Sequence, residues 1–303
     1  MPIAQVIKMY NGFYYVKNTE PKTEGTEDTL EPEISCRLRG RIKRNKGAVV
    51  TGDFVEYQLL EDGTGIIEKT MPRKSMLLRP AVANIDQVLV TFAAREPDLS
   101  TLLLNRFLVL AEWSGIAEIV ICINKIDLLT EEQRENYLQD YVTAGYKVVM
   151  VSAATGEGIP ELRGMLDHKV TVFAGPSGVG KSSLLNSVDD RLELSTGIIS
   201  AKIKRGKHTT RAASLMELAS GGVVVDTPGF SAAELEQLDK TQLANYFPDF
   251  RSHIPNCYYN TCSHSHEPNC AIKKAVAEGN VSQERYDAYL NILQTINDRK
   301  KAY

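Results

Sequence analysis

Residues 175–182, GPSGVGKS, form a complete glycine-rich phosphate-binding loop between the strand-like run 170–174 and a helix-like run. Glycines in such a loop allow backbone N–H groups to face a phosphate at a helix N-terminus. Lys181 is placed to neutralise β- and γ-phosphates, and the hydroxyl of Ser182 to ligate Mg²⁺. The pattern predicts a nucleotide site contacted by Gly175, Pro176, Ser177, Gly178, Val179, Gly180, Lys181, Ser182 and Ser183.

A second string, at 124–127, precedes this loop and is suited to reading a guanine base. The carboxylate of Asp127 can accept hydrogen bonds from N1–H and N2–H₂ of guanine, a pattern that adenine does not offer. An ATP-dependent P-loop kinase is the alternative that Asp127 disfavours. Residues 152–153 follow the apolar run 147–151, where a supporting loop for the base is expected. The predicted base-site residues are Asn124, Lys125, Ile126, Asp127, Ser152 and Ala153.

A third string, 226–229, follows the phosphate loop. Asp226 ends an apolar run and is predicted to hold Mg²⁺ through water, and Gly229 to offer its N–H to a γ-phosphate. Residues 227–240 then form a predicted nucleotide-sensing switch. The basic segment 197–211 is the other candidate switch, although an exposed loop explains it as well. A second Mg²⁺ ligand is expected from either Thr209 or Thr210.

The order of these strings is inverted. GTPases usually run from phosphate loop to switches to base reader, whereas here the base reader comes first, which indicates a circularly permuted GTPase. Many GTPases also carry Gln directly after the Asp-x-x-Gly string to orient the attacking water, but this chain has Phe230. Either a partner completes the site or another group orients water. His208 is the internal candidate for a catalytic residue, and an exposed or structural histidine is the equal alternative.

Alternating apolar strands and helices from residue 70 onwards predict a parallel sheet covered on both faces. The preceding residues contain short strand-like runs, with a hairpin signal at Asn11-Gly12 and strand-like patterns at 35–42 and 49–60. They predict a small closed barrel of the OB-fold type. We expect three domains: an all-β barrel at 1–68, an α/β P-loop domain at 69–232 and a small helical domain at 233–303.

Basic residues alternate along one predicted strand of the barrel. Period two places their charges on one face, which suits RNA phosphates, although a solvated face balanced by the acidic segment 20–33 is the alternative. The residues are Arg37, Arg39, Arg41 and Lys43.

Three of the five cysteines lie within residues 257–270, together with two histidines. Three thiolates and one imidazole can close a tetrahedral structural zinc site, and His264 and His266 compete for the fourth position. The odd cysteine count favours a reducing compartment over a disulfide framework. Since the sequence also contains neither a signal peptide nor an apolar run of eighteen residues, we expect a cytoplasmic protein with no membrane contact.

Together these strings resemble the circularly permuted, ribosome small-subunit-dependent GTPases of bacteria. Further matching positions are Arg39-Gly40, Gly52-Asp53, Arg79-Pro80 and 84–86. The resemblance implies an OB-fold, a permuted GTPase domain and a zinc domain with ligands Cys257, Cys262, His264 and Cys270.

The same resemblance implies a factor that binds the 30S subunit and its 16S rRNA in late maturation, and whose subunit-stimulated GTP hydrolysis is coupled to release. GTP, GDP, Mg²⁺ and one structural Zn²⁺ are the expected ligands, and we expect a monomer. A nucleotide-gated RNA-binding scaffold with incidental hydrolysis is the alternative function. Because the chain runs from Asp226 directly towards Cys257, we also expect the second switch to act on the zinc domain.

Overall fold

The N-terminal residues form a closed five-stranded barrel of the OB type. The computed structural model describes residues 1–18, 33–40, 49–78, 81–192, 194, 214–226, 235 and 238–300. Strand order is β1-β2-β3-β5-β4, and pairing of β1 with β4 closes the barrel. Alternating side chains such as Val6, Val16 and Ile67 fill its core. The strands are β1 (Ile3–Tyr10), β2 (Phe13–Asn18), β3 (Ile34–Leu38), β4 (Phe54–Leu59) and β5 (Gly65–Thr70).

The predicted strand at 49–60 is shorter in the structure, because its first residues form a turn. Gly52 has φ +87°, and a Cβ there would lie 2.2 Å from the carbonyl oxygen of Ala83. The buried carboxylate of Asp53 accepts from the Val50 N–H at 2.8 Å and pairs with Arg73 at 2.7 Å. This turn contacts a hairpin of β6 (Met76–Leu78) and β7 (Ala81–Ala83), which connects the barrel to the central domain.

The described strands of the central domain form a six-stranded sheet in the order β10-β9-β8-β11-β13-β12. The first five strands run parallel and β12 runs antiparallel, as expected of a P-loop domain. Buried apolar clusters cover both faces of the sheet. The strands are β8 (Gln87–Ala93), β9 (Glu118–Asn124), β10 (Lys147–Met150), β11 (Val170–Ala174), β12 (Ser214–Glu217) and β13 (Val223–Asp226).

Local signals explain where the helices of this domain begin. The Ser100 side chain caps the first helix by accepting from the N–H of Leu103, and Thr130 and Gln133 form a capping box at the second. The helices are α1 (Thr101–Trp113), α2 (Glu131–Arg134), α3 (Gln139–Thr143), α4 (Ile159–Leu166) and α5 (Lys181–Val188).

Barrel and central sheet are joined through their strands. β1 pairs antiparallel with β12, so the described strands of the two domains form one sheet of eleven strands. The sequence contains no local signal for this pairing, because its partners are far apart along the chain.

The C-terminal residues form a helical unit that packs on α1. Its helices are α6 (Ala271–Ala277) and α7 (Gln283–Lys300), preceded by short 3₁₀ turns. Phe247, Phe250 and Tyr289 stack together in its core. Within the described residues, every helix is too short or too polar to cross a bilayer.

A buried charge fixes this unit to the central domain. Arg285, only 1% exposed, pairs with Asp249 through two hydrogen bonds of 2.8 and 2.5 Å and donates to Asn105 of α1 at 2.8 Å. Its guanidinium lies over the rings of Tyr141, Tyr146 and Phe247. A buried guanidinium that lost these acceptors would be costly, so the hydrogen bond to Asn105 holds the C-terminal unit against α1.

Candidate nucleotide site and metal centre

The phosphate loop lies at the carboxyl end of β11 and opens into α5. Gly175 has φ +146°, and a Cβ there would lie 2.0 Å from the carbonyl oxygen of Thr91. Gly180 has φ +92°, and its Cβ would lie 2.3 Å from Nδ2 of Asn124. No side chain fits at either position, which explains the glycines. The resulting loop presents backbone N–H groups at a helix N-terminus, the arrangement that binds phosphate.

Asn124 joins the base-reading string to the phosphate loop. It is 1% exposed, its Nδ2 donates to the carbonyl oxygen of Val179 at 2.9 Å, and its Oδ1 accepts from the N–H of Ala153 at 3.1 Å. One side chain therefore holds together three segments that are separate in the sequence. The inverted order of the strings does not prevent them from forming one pocket.

Asp127 presents an ordered carboxylate at the surface of this pocket. The buried Ser152 donates its hydroxyl hydrogen to Oδ1 of Asp127 at 2.6 Å, and Ser152 Oγ accepts from the N–H of Thr155 at 3.1 Å. Asp127 itself is exposed. This hydrogen bond orients the carboxylate while leaving its remaining lone pairs to accept from a base edge.

The loop that follows β8 also belongs to this pocket, and sequence reasoning missed it. Lys125 has a left-handed backbone with φ 62°, and its amine donates to the carbonyl oxygen of Glu96. A Cβ on Gly178 would lie 3.9 Å from Pro97 of the same loop. The position of residues 94–100 after a parallel strand was the available signal, since such loops build the ligand edge of the sheet.

Lys181 is the cation of the phosphate loop. Its ammonium donates to the carbonyl oxygens of Gly175 at 2.8 Å and Pro176 at 2.7 Å. Burial lowers the pKa of Lys181 to about 8, because the charged form is poorly solvated there. A polyphosphate beside this amine would stabilise the charged form.

Nucleotide affinity is therefore expected to depend on pH near 8. Phosphate raises the lowered pKa of Lys181, so affinity is full below pH 8 and falls as pH rises above it, by up to about tenfold per unit. Calorimetric titration with GDP between pH 7 and 9 measures this change. A Lys181→Arg variant keeps its charge over this range and should lose the dependence. An equal slope in both proteins would contradict the role of Lys181.

The magnesium side of the site is only partly described. β13 lies beside β11 with Val172 opposite Val225, so the backbone of Asp226 ends at the same edge of the sheet as the phosphate loop. Ser182 and Ser183 lie in the first turn of α5 at this edge. The predicted residues His208, Thr209, Thr210 and Gly229, together with Phe230, lie outside the described residues.

Four side chains of the C-terminal unit converge into a candidate metal centre. The ligand atoms of Cys257, Cys262, His264 and Cys270 all lie within 4.8 Å of one another. His264 Nδ1 is 3.5 Å from Sγ of both Cys257 and Cys270, and these two sulfurs are 4.0 Å apart. Ligands of tetrahedral zinc, with bonds of about 2.0–2.3 Å, lie about 3.5–3.8 Å from one another. The four residues could hold a metal ion.

The structure distinguishes the two histidines. His264 is 4% exposed, and burial lowers the pKa of its imidazole, which favours the neutral form that binds metals. His266 is exposed, and its Nδ1 contacts Ser265 Oγ at 3.0 Å, away from the cluster. The geometry thus selects between the alternatives that residue spacing left open.

α7 holds the loop of the metal cluster. Tyr286 donates to the carbonyl oxygen of His264 at 2.7 Å, and Tyr289 donates to that of Ser263 at 2.7 Å. Burial raises the pKa of the Glu267 carboxyl, but hydrogen bonds from the Ser263 side chain and from backbone N–H groups to both of its oxygens outweigh this effect and lower the pKa to about 2. The backbone of the loop that carries the candidate ligands is therefore held in place by α7 and by Glu267.

The basic strand of the barrel is described in part. Arg37 lies over the ring of Phe13 at 4.8 Å, and the exposed Arg39 pairs with Glu68. Both arginines are exposed, whereas Leu38 between them is half-buried, so the alternation holds across these residues. Arg41 and Lys43 lie outside the described residues.

Comparison with known proteins matches almost the whole chain. The family model described as RsgA GTPase matches residues 70–236, and the RsgA N-terminal domain matches residues 4–67. The Small ribosomal subunit biogenesis GTPase RsgA of Caldanaerobacter subterraneus subsp. tengcongensis is 42% identical over 298 residues, which are 98% of this chain and 97% of the relative.

Two solved structures share the fold over nearly their full lengths. YjeQ from Thermotoga maritima has a TM-score of 0.81 and 35% sequence identity, covering 97% of this chain and 98% of its own. YloQ, described as a circularly permuted GTPase, has a TM-score of 0.78 and 38% identity, covering 99% and 96%. The description of YloQ agrees with the inverted order of motifs in this chain.

Proposed function

We propose that this chain, which belongs to the RsgA GTPase family and is a GTP hydrolase, acts in biogenesis of the small ribosomal subunit. It binds the 30S subunit in late maturation, and subunit-stimulated hydrolysis is coupled to its release. The observation that carries this proposal is the contact of Asn124 with Val179, which unites the base-reading string and phosphate loop in one pocket. The printed name of the Caldanaerobacter relative supports the subunit as the partner.

In this site, Asp127 reads guanine and the loop at 152–153 supports the base. Residues 175–183 hold the phosphates, with Lys181 as their counter-charge. Ser182 ligates Mg²⁺ directly and Asp226 through water, while Thr209 or Thr210 supplies a further ligand and Gly229 contacts the γ-phosphate. The sheet edge shared by β11 and β13 supports this arrangement.

For hydrolysis we assign His208 as the group that orients the attacking water, since Phe230 at the usual glutamine position cannot form a hydrogen bond. The metal of the C-terminal cluster is one structural Zn²⁺. Its four protein ligands leave no open position for a catalytic water.

The basic strand of the barrel contacts 16S rRNA through Arg37, Arg39, Arg41 and Lys43. Phosphate contacts of this kind should make subunit affinity depend on salt. We place the protein, as a monomer, in the cytoplasm where ribosomal subunits are assembled. The exposed positions of Arg37 and Arg39 support this interface.

Turnover of GTP with purified 30S subunits, with 50S subunits and without ribosomes tests the function. We expect 30S subunits to stimulate turnover by about 10³-fold or more, and 50S subunits not to, because partners that complete GTPase sites in trans accelerate hydrolysis by about 10³–10⁵. A His208→Ala variant should lose most of this stimulation while keeping GTP affinity. Equal rates under the three conditions would instead favour an RNA-binding scaffold with incidental hydrolysis.

A further inference from the structure

The barrel and the central sheet are joined by a β1–β12 seam, in which Lys8 of β1 pairs with Ser214 of β12. This seam exists because β1 changes its pairing partner along its length. The first half of β1 pairs with β4 inside the barrel, from Ile3 opposite Glu56 to Gln5 opposite Phe54. The pairing of β1 with β2 then shifts register between Val6 and Lys8. A bulge of this kind bends a strand. Beyond it, β1 pairs with β12 of the GTPase sheet.

The β1–β12 seam lies next to β13, whose last residue, Asp226, is on the predicted magnesium side of the nucleotide site. Ser214 of β12 pairs with Lys8 on one side and with Asp226 of β13 on the other. Because neighbouring strands lie about 4.8 Å apart, the backbone of Asp226 is about 10 Å from a barrel strand. Main-chain pairing alone connects the two positions.

The other end of β12 is held to the barrel by an ion pair. Lys17 of β2 lies 2.6 Å from both carboxylate oxygens of Glu217, and the lysine side chain is 22% exposed. Just beyond, the N–H of Ala219 donates to Asp189 at 2.6 Å, next to the end of α5. β12 is thus attached to the barrel at both ends and to the phosphate-loop helix through the turn that follows it.

β12 and β13 also separate the two predicted switches in the sequence. The segment 197–211 leads into β12, and residues 227–240 follow β13. Contacts of a γ-phosphate with both segments would therefore act on the open end of this hairpin, where Ser214 pairs with Asp226.

We propose that the β1–β12 seam transmits nucleotide state to the barrel. The inference rests on the proposed nucleotide site and adds its regulation. The pairing of β12 with β1 differs in strength between the GTP-bound and GDP-bound forms. By linkage, a ligand of the barrel changes the preference between the two nucleotides by the same factor. The barrel is thereby a second reader of nucleotide state, separate from the C-terminal unit.

Amide hydrogen exchange of the full chain, loaded with GDP or with a non-hydrolysable GTP analogue, tests the inference. Exchange in residues 3–10 and 214–217 is expected to differ by about fivefold or more between the two forms, the lower end of usual couplings. Lys17→Glu and Glu217→Lys should each reduce the difference, and the double variant should restore it. Lys69→Glu is the matched control, because it breaks an ion pair of 3.7 Å with Glu56 in which both partners belong to the barrel. It should leave the difference unchanged.

Identical exchange of β1 in the two forms of the wild type, or a difference that survives both single reversals, would overturn the inference. Exchange in 175–183 separates this failure from that of the function. If nucleotide protects residues 175–183 but exchange in β1 is the same with GDP and the GTP analogue, only the proposed role of the β1–β12 seam is contradicted. If nucleotide does not protect residues 175–183, the proposed nucleotide site is contradicted, and the role of the seam with it.

Discussion

An Asp127→Asn variant is expected to lose GTP affinity by about 10⁴–10⁵-fold, because a site built to pair a base edge strongly rejects one that leaves its polar groups unpaired. The amide of asparagine would direct N–H₂ towards the N2 amino group of guanine, where Ser152 now fixes an accepting carboxylate at 2.6 Å. Xanthine carries an acceptor at that position. Competition with a fluorescent nucleotide should show that xanthosine triphosphate binds the variant better than GTP does.

The control is Glu132→Gln, which removes an exposed charge from α2 without changing the pocket. It should leave both affinities unchanged. If Asp127→Asn bound GTP as tightly as the wild type, the base would have to be read elsewhere. The same conclusion would follow if the variant still bound GTP more tightly than ATP by the same factor as the wild type.

The parts of this pocket could be predicted from the sequence because each depends on local chemistry. Glycines at 175 and 180 are required where a Cβ would meet Thr91 or Asn124, and strand-ending positions of a parallel sheet share one edge. That edge is the same whichever motif comes first in the chain. The circular permutation could therefore be inferred from motif order alone.

Contacts between distant segments had no local signal. The β1–β12 pairing joins Lys8 to Ser214, and the Arg285 network joins α7 to Asn105. An isolated arginine within an amphipathic helix predicts a solvated side chain, and only the acidic and aromatic neighbours supplied by folding make its burial favourable. For this reason neither contact between domains could be predicted from the sequence.

The described residues also bear on the expected link between the second switch and the C-terminal unit. Leu235 and Leu238, which follow the Asp-x-x-Gly string closely, are buried in the same apolar cluster as Phe247 and Phe250. The chain that follows Asp226 is therefore packed, at Leu235 and Leu238, in the apolar cluster that includes the core of the C-terminal unit. The pairing of β12 with β1 joins the neighbouring strand to the barrel.

Disruption of the candidate metal centre should have the largest effect on stability. A Cys270→Ser variant, or treatment with a strong chelator, is expected to destabilise residues 257–300 by more than about 4 kcal/mol, since structural zinc in small sites contributes about 10–16 kcal/mol. The short polar loop between Cys257 and Cys270 has little apolar core of its own. Metal analysis should find one zinc per chain in the wild type, and hydrogen exchange should locate the loss of protection.

His266→Ala is the matched control, because this exposed ring contacts only Ser265 among the hydrogen bonds described for it. It should retain zinc and protection, whereas His264→Ala should lose both. Since Tyr286 and Tyr289 bind the metal loop from α7, loosening there should spread to the contact of Arg106 with Asn291 between α1 and α7. Zinc retained by His264→Ala and lost by His266→Ala would reverse the ligand assignment.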